Sequence, residues 1–299
     1  MKIRFSVISL IFSTLILFNC SKKESDEEPI RLYFTPSVDA DVIAESSKNL
    51  ISFLEKETGY KYKTAIPASY VAVVEAFGAN KADVAIINSF SYLLANEKYG
   101  TTAKLRVIRN GSQFYSGQII THVESGIDSL SQLNGKKFAF TDAASTSGYI
   151  LPSKLLLDKG VKLSNTVFAE KHDNVVTMVY QRQVDAGATY YNRPLTDGTI
   201  QDARLRVKTQ FPDVEQKIKI IALTDSIPND PIIFNSKLDT VKANKICLAL
   251  VAYMNTPEGK EYMKKMYSFE GLVFAKDSDY DSLREIIKKT NLALDGLVK

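Results

Sequence analysis

Phe138-Ala-Phe-Thr-Asp-Ala-Ala-Ser-Thr-Ser-Gly-Tyr-Ile-Leu-Pro152 joins two kinds of periodicity in one short stretch. It opens as an apolar, strand-like run that ends in small polar residues, and a helical pattern takes over from about Gly148. A strand delivered directly into a helix is the building unit of an α/β fold. Three consecutive hydroxyl residues, Ser145, Thr146 and Ser147, fall where the helix should begin. The first turn of a helix leaves backbone N–H groups without intrahelical partners and carries a partial positive charge. Hydroxyl side chains add donors that point the same way. The sum is an anion site without a formal charge, suited to a tetrahedral oxyanion. Ordinary N-capping is the competing account, since Ser and Thr are common caps. One cap needs one hydroxyl, and three in a row followed by Gly exceed that need.

The same alternation extends in both directions. Upstream, the pattern predicts strands at Ile30–Phe34, Tyr60–Ile66, Asp83–Ile87, Leu105–Arg109 and Tyr115–Val123. Helices are expected at Ser47–Thr58, Ser69–Phe77 and Ser89–Tyr99. This β-α-β-α-β order implies a mostly parallel sheet flanked by helices, with ligands beyond the carboxyl ends of its strands. The pattern then restarts, with strands at Lys137–Thr141, Val167–Phe168, Val184–Thr189 and Ile218–Leu223 and helices at Thr146–Lys159 and Asp173–Arg182. After Pro228 the chain reads as mainly helical: Leu238–Met254, Pro257–Tyr267 and Asp281–Leu297. The expected fold is therefore α/β with two lobes joined by two crossover strands. Residues 30–118 plus 224–299 would form one lobe and 119–223 the other. The cleft between them is the natural ligand site.

At the N-terminus, Lys2 and Arg4 precede the apolar run Phe5–Phe18, too short to span a bilayer as a permanent helix. Residues 1–19 read as a signal peptide, and Leu17-Phe-Asn-Cys20 resembles the lipobox of bacterial lipoproteins. Cleavage before Cys20 would free its thiol for diacylglycerol attachment. Asn19 departs from the Gly, Ala or Ser usual there, and a plain secretory peptide with an incidental Cys is the alternative. Residues 20–29, with no apolar residue from Lys22 to Pro29, read as a solvated tether. The implied location is the bacterial cell envelope, lipid-anchored on a periplasmic or extracellular membrane face.

Composition sets bounds. The formal charge of the 299-residue chain is +4. No basic stripe interleaved with aromatics occurs, which argues against nucleic acid. With Cys20 lipidated, Cys247 has no disulfide partner and reads as a small buried residue. His122 and His172 cannot form a multi-histidine metal site, so neither metal nor cofactor is expected.

Several segments in order resemble the phosphate/phosphite/phosphonate-binding proteins of ABC transporters, the PhnD-like family. They are Phe53-Leu-Glu-Lys-Glu-Thr-Gly-Tyr60, Tyr70-Val-Ala-Val-Val-Glu-Ala-Phe77, Lys81-Ala-Asp-Val-Ala85 and Asp142-Ala-Ala-Ser-Thr-Ser-Gly148 with Pro152. His172, Gln183-Val-Asp-Ala186, Ile227-Pro-Asn-Asp-Pro231 and Thr256-Pro-Glu-Gly259 through Asp279-Tyr-Asp281 continue the match. The resemblance implies a type II periplasmic-binding-protein fold that closes on its ligand. It also implies an ABC permease and ATPase as partners, and a small phosphorus oxyanion as ligand. Carried over by position, Ser145, Thr146 and Ser147 match the phosphoryl-binding helix start. Tyr70 matches a tyrosine reaching the same oxygens from the other lobe, His172 a cleft histidine, and Asp230 an acid beside the ligand.

Two positions depart from members that bind aminoalkyl phosphonates. Asn192 stands near the position of a second acid that should grip the ligand ammonium, and Ile87 near that of a Tyr. Phosphate, phosphite or a small phosphonate with an uncharged tail is therefore favoured. Asp230 beside an anion requires that the anion donate a proton, which a P–OH can do and sulfate cannot. A sulfonate or other organic anion is the rival ligand class, and a sensing lipoprotein without transport the rival role. Ser145 or Ser147 with His172 and Asp230 suggests a hydrolase triad, but no Gly-x-Ser-x-Gly elbow is present, and no enzyme is expected.

Overall fold

The computed structural model describes residues 28–289. The signal-peptide reading, Cys20 and nearly all of the tether lie outside the described residues, as does the end of the last expected helix. In chain order the first elements are β1 (Ile30–Phe34), α1 (Ala40–Thr58), β2 (Tyr62–Ala65), α2 (Tyr70–Gly78), β3 (Val84–Ile86), α3 (Ser89–Tyr99) and β4 (Thr102–Ile108). Next come β5 (Phe114–His122), β6 (Lys137–Phe140), α4 (Leu151–Asp158), β7 (Asn165–Phe168), α5 (His172–Tyr180) and β8 (Ala186–Tyr191). The chain ends with α6 (Val214–Lys217), β9 (Ile218–Pro228), β10 (Pro231–Phe234), α7 (Thr240–Met254), α8 (Pro257–Tyr267), β11 (Gly271–Phe274) and α9 (Asp281–Lys288).

These strands form two sheets, ordered β11-β4-β10-β3-β1-β2 and β7-β6-β8-β5-β9. In the first, β1 runs parallel to β2 and β3, while β10 is antiparallel to both β3 and β4 and β11 is antiparallel to β4. Strands β1 to β4 thus share one direction, against β10 and β11. In the second, β6 is parallel to β7 and β8, and β5 is antiparallel to β8 and β9. Each sheet is mixed, with most strands pointing one way. Strands β5 and β9 pair from Phe114↔Pro228 to His122↔Ile218. The chain crosses between sheets just before β5 and just after β9. The boundaries 118/119 and 223/224 fall inside these two strands.

Helix α1 begins earlier than the expected Ser47. Asp39 caps it by accepting from Asp41 N–H, and the first turns bury Ile43, Ser46 and Ser47. Small residues on a buried face give little hydrophobic signal, so the visible periodicity starts only at Leu50. Gly59, at φ 72°, ends the helix in the left-handed region that favours glycine. The segment after Pro228 corrects the mainly helical expectation, because β10 and β11 complete the first sheet. Pro-Ile-Ile-Phe is four residues long and wholly buried. Periodicity cannot identify so short an apolar run, and proline at its head is tolerated as the first residue of a strand.

Each sheet is covered on both faces. Leu50 and Leu54 of α1 pack with Ile246 and Leu250 of α7 and Met263 of α8 in one cluster. Val73, Phe77, Phe90 and Leu283 from α2, α3 and α9 belong to another. In the second sheet, Val175, Val176 and Val179 of α5 form one cluster, and Leu156 of α4 joins Phe138 and Phe140 in the other. Each fully buried side chain of this size stabilises the fold by roughly 1.5–3 kcal/mol. Cys247 is buried in the first of these clusters, and desolvation pushes its thiol up to about 11. It therefore behaves as an unreactive small apolar residue.

Candidate functional site

The three hydroxyl residues lie where the second sheet hands the chain to α4. Thr146–Ile150 forms a single wide π-helical turn that runs into α4. Ser145 caps it: its Oγ accepts from Gly148 N–H at 3.1 Å, and its carbonyl accepts from Tyr149 N–H at 3.0 Å and Ile150 N–H at 2.9 Å. Such turns recur at functional sites. Two glycines let the turn sit this close to the sheet. A Cβ on Gly148 would fall 1.8 Å from Thr141 Oγ1, and one on Gly117 of β5 would fall 2.7 Å from the Ser147 carbonyl oxygen.

The turn borders a cavity of about 60 Å³ between the lobes. This is a few times the ~15 Å³ that admits one water, which suits a single small tetrahedral ion. Tyr70, Asn88 and Tyr267 line it from the first lobe, and Ser145, Ser147, His172, Tyr190, Asn192 and Arg206 from the second. Arg109 and Asp230 reach it from the two connections. Of the seven residues expected in the cleft, the structure brings together Tyr70, Ser145, Ser147, His172, Asn192 and Asp230. Thr146 is the exception. Its Oγ1 donates to Asn88 Oδ1 at 2.8 Å and accepts from Phe90 N–H at 2.9 Å. Successive residues on a helical turn point in different directions, so three hydroxyls cannot all face one cavity. The middle one instead binds the start of α3 and ties the lobes together.

Several cavity-lining atoms are buried without a partner among the described residues: Tyr70 Oη, His172 Nδ1 and Asp230 Oδ1. Buried polar groups are normally satisfied, so their convergence on one cavity marks it as a place for a polar ligand. Burial, and secondarily Asp142 and Asp230, push the Tyr70 phenol well above its usual range. It is a neutral O–H. Asp142 holds the base of this wall, accepting from Ala144 N–H at 2.8 Å and Tyr70 N–H at 3.3 Å; burial raises its own carboxyl.

The expectation of an anion site without formal charge is corrected by two guanidinium groups. Arg109 Nη2 meets Asp230 Oδ2 at 2.7 Å, Arg109 Nε donates to the Tyr267 carbonyl at 3.1 Å, and the group lies 4.9 Å from the Phe269 ring centroid. Arg206 lies on the opposite wall, its Nε donating to Tyr190 Oη at 3.3 Å. Arg109 had one usable signal, since it ends the expected strand Leu105–Arg109, where ligands of such sheets gather. Arg206 lies in a stretch with no assigned periodicity and had none.

His172 opens α5 with its ring edge-on to Tyr190, 4.9 Å between centroids. Burial first, then Arg206 and Arg109, lower its pKa to about 3. The imidazole is therefore neutral at pH 7, and Nδ1 donates or accepts according to its tautomer. Below the usual value of 6.5 the unfolded chain takes up a proton here that the folded chain refuses until about pH 3. Stability from this group is present above that window and is lost as pH falls through it, by up to about 1.4 kcal/mol per pH unit. Urea unfolding from pH 6 to 4 should show a shallower decline for His172→Gln than for wild type. Equal slopes would refute the buried neutral histidine. Among the described residues no hydrogen bond joins His172 to Ser145, Ser147 or Asp230, and Asp230 is engaged by Arg109. The hydrolase-triad geometry is not formed.

The family model described as ABC transporter, phosphonate, periplasmic substrate-binding protein matches residues 32–280. The "Phosphate-import protein PhnD" of Mycolicibacterium smegmatis is 26% identical over 285 residues, covering 89% of this chain and 87% of that protein. The "Phosphonates-binding periplasmic protein" of Escherichia coli is 26% identical over 243 residues, covering 75% of this chain and 68% of that protein. Among solved structures, a binding protein component of an ABC phosphonate transporter from Pseudomonas aeruginosa superposes with a TM-score of 0.75 at 18% identity. That match covers 91% of this chain and 92% of the other. It is a likeness of fold.

Proposed function

This chain belongs to the phosphonate-binding family of periplasmic ABC-transporter substrate-binding proteins, and from that premise we propose that its cleft captures phosphate, phosphite or a small phosphonate for delivery to the permease. The observation that carries this reading is the set of unpartnered polar atoms on Tyr70, His172 and Asp230 facing a cavity the size of one tetrahedral ion. Ser145 and Ser147 border the same space. The relatives' names, one for phosphate import and one for phosphonates, span the ligand range proposed.

The cavity favours an uncharged or absent tail. Among the described residues its one lining carboxylate, Asp230, is paired with Arg109. Asn192 donates to the Gln201 carbonyl at 3.3 Å, and Ile87 adds an apolar wall. Asp230 Oδ1 is unpartnered, but the carboxylate's charge is already compensated by Arg109, so an ammonium tail meets no unneutralised carboxylate among the described lining residues. The test is calorimetric titration with phosphate, phosphite, methylphosphonate, aminoethylphosphonate and sulfate. Ser145→Ala with Ser147→Ala should weaken the tightest phosphorus ligand at least about tenfold, the effect of losing ~1.4 kcal/mol of hydrogen bonding. Unchanged affinity for all of them would remove the hydroxyl turn from the site.

The reading includes a lipid anchor at Cys20, supported by the lipobox-like Leu17-Phe-Asn-Cys20. Cys20→Ser should move the protein from the detergent phase to the aqueous phase, because a short apolar leader anchors poorly. Unaltered partitioning would place the anchor elsewhere.

A further inference from the structure

We propose that Arg206 is a latch that couples anion capture to closure of the cleft, an inference that rests on the cavity being an anion site. Arg206 belongs to the short helical segment Ala203–Val207 of the second lobe. Its guanidinium reaches the first lobe at the end of α8. There Nη1 donates to the Lys265 carbonyl at 3.0 Å, and Nη2 to Ser268 Oγ at 3.1 Å and the Met266 carbonyl at 3.4 Å. The final carbonyls of a helix have no intrahelical donor and form the negative end of its dipole. Here a cation from the other lobe satisfies them.

Ser268 adds a second, independent observation. It ends α8 in the left-handed conformation, φ 59°, where glycine is the usual residue. Glycine would give the same backbone turn more easily, but it has no oxygen for Arg206. The serine trades conformational ease for an acceptor across the cleft.

Charge links this latch to the ligand. Arg109 is neutralised by Asp230, whereas no carboxylate among the described residues lies within ion-pair distance of Arg206. Among the described residues Arg206 lines the cavity while held by carbonyl, hydroxyl and phenol dipoles. Closing the cleft without an anion leaves this half-buried cation uncompensated. Closing it around an anion supplies the missing charge. The ligand thereby binds the closed state more tightly than the open one, the condition for shifting that equilibrium.

The experiment compares wild type, Arg206→Met, Arg206→Lys and Ser268→Gly by small-angle scattering and stopped-flow binding. The probes are phosphate, phosphite and methylphosphonate. Wild type should contract on saturation with the ligand it binds. Arg206→Met should lose the contraction and release that ligand at least about tenfold faster, with an association rate changed much less. Arg206→Lys should recover part of the slow release, and Ser268→Gly should fall between Met and wild type. Contraction and release like wild type in Arg206→Met would overturn the latch. Should wild type bind none of the probes, the anion reading fails and the charge-coupled latch falls with it, whereas binding that leaves contraction and release unaltered in Arg206→Met overturns the latch alone.

Discussion

Arg109→Met should weaken binding of the preferred phosphorus oxyanion at least about 100-fold and destabilise the fold by about 3–5 kcal/mol, the usual result of removing one partner from a buried ion pair. Arg109 is almost fully buried and holds Asp230 through the 2.7 Å contact. Its Nε also satisfies the Tyr267 carbonyl, and its flat face covers the Phe269 ring. Methionine retains much of the apolar stem but leaves the Asp230 carboxylate unneutralised beside the incoming anion. Both losses have one origin, so Arg109→Met with Asp230→Asn should regain part of the stability. Calorimetry gives the affinity and urea unfolding the stability. Binding within about threefold of wild type, a difference under ~1 kcal/mol, would mean that Arg109 neutralises nothing the ligand senses.

The fold was legible from periodicity where elements were long or amphipathic. The βα alternation, the helices α3 and α8 and the hydroxyl turn all carried local signals. What escaped notice depended on tertiary context. Strand β10 is a four-residue insertion between β3 and β4, and its place is set by pairings with residues more than a hundred positions away. The early turns of α1 bury serine and so carry no apolar stripe. The site divided the same way. Residues on a recognisable motif, such as Ser145, Ser147 and Asp230, could be assigned to the cleft from the sequence, and they line the cavity. Arg109 and Arg206 belong to no motif, and each comes to the cavity only when distant chain segments meet. Thr146 shows the converse: the motif placed it correctly along the chain, but the helical turn rotated its hydroxyl towards α3.

Asp230→Asn should collapse the discrimination between phosphate and sulfate, by about 100-fold in the affinity ratio if a contact worth ~3 kcal/mol changes sign. One carboxylate oxygen, Oδ2, is held by Arg109, while Oδ1 is buried in the cavity wall without a partner. An ionised carboxylate only accepts hydrogen bonds. A phosphorus oxyanion that keeps a P–OH can donate to Oδ1, whereas sulfate presents a second acceptor to it. On the proposed reading the clash would select against sulfate while a hydrogen bond would favour the protonated phosphorus ligand, so one atom would act on both sides of the comparison. Asparagine can turn either its oxygen or its N–H₂ towards the ligand, and it also leaves Arg109 more positive. Both anions then gain electrostatically, which is why the ratio, not either affinity alone, is the informative quantity. Rising pH offers a second measure. As the ligand loses its last acidic proton, wild-type affinity should fall, and the fall should be shallower in Asp230→Asn. Wild type binding sulfate as tightly as phosphate, phosphite and methylphosphonate would show that Oδ1 does not meet the ligand.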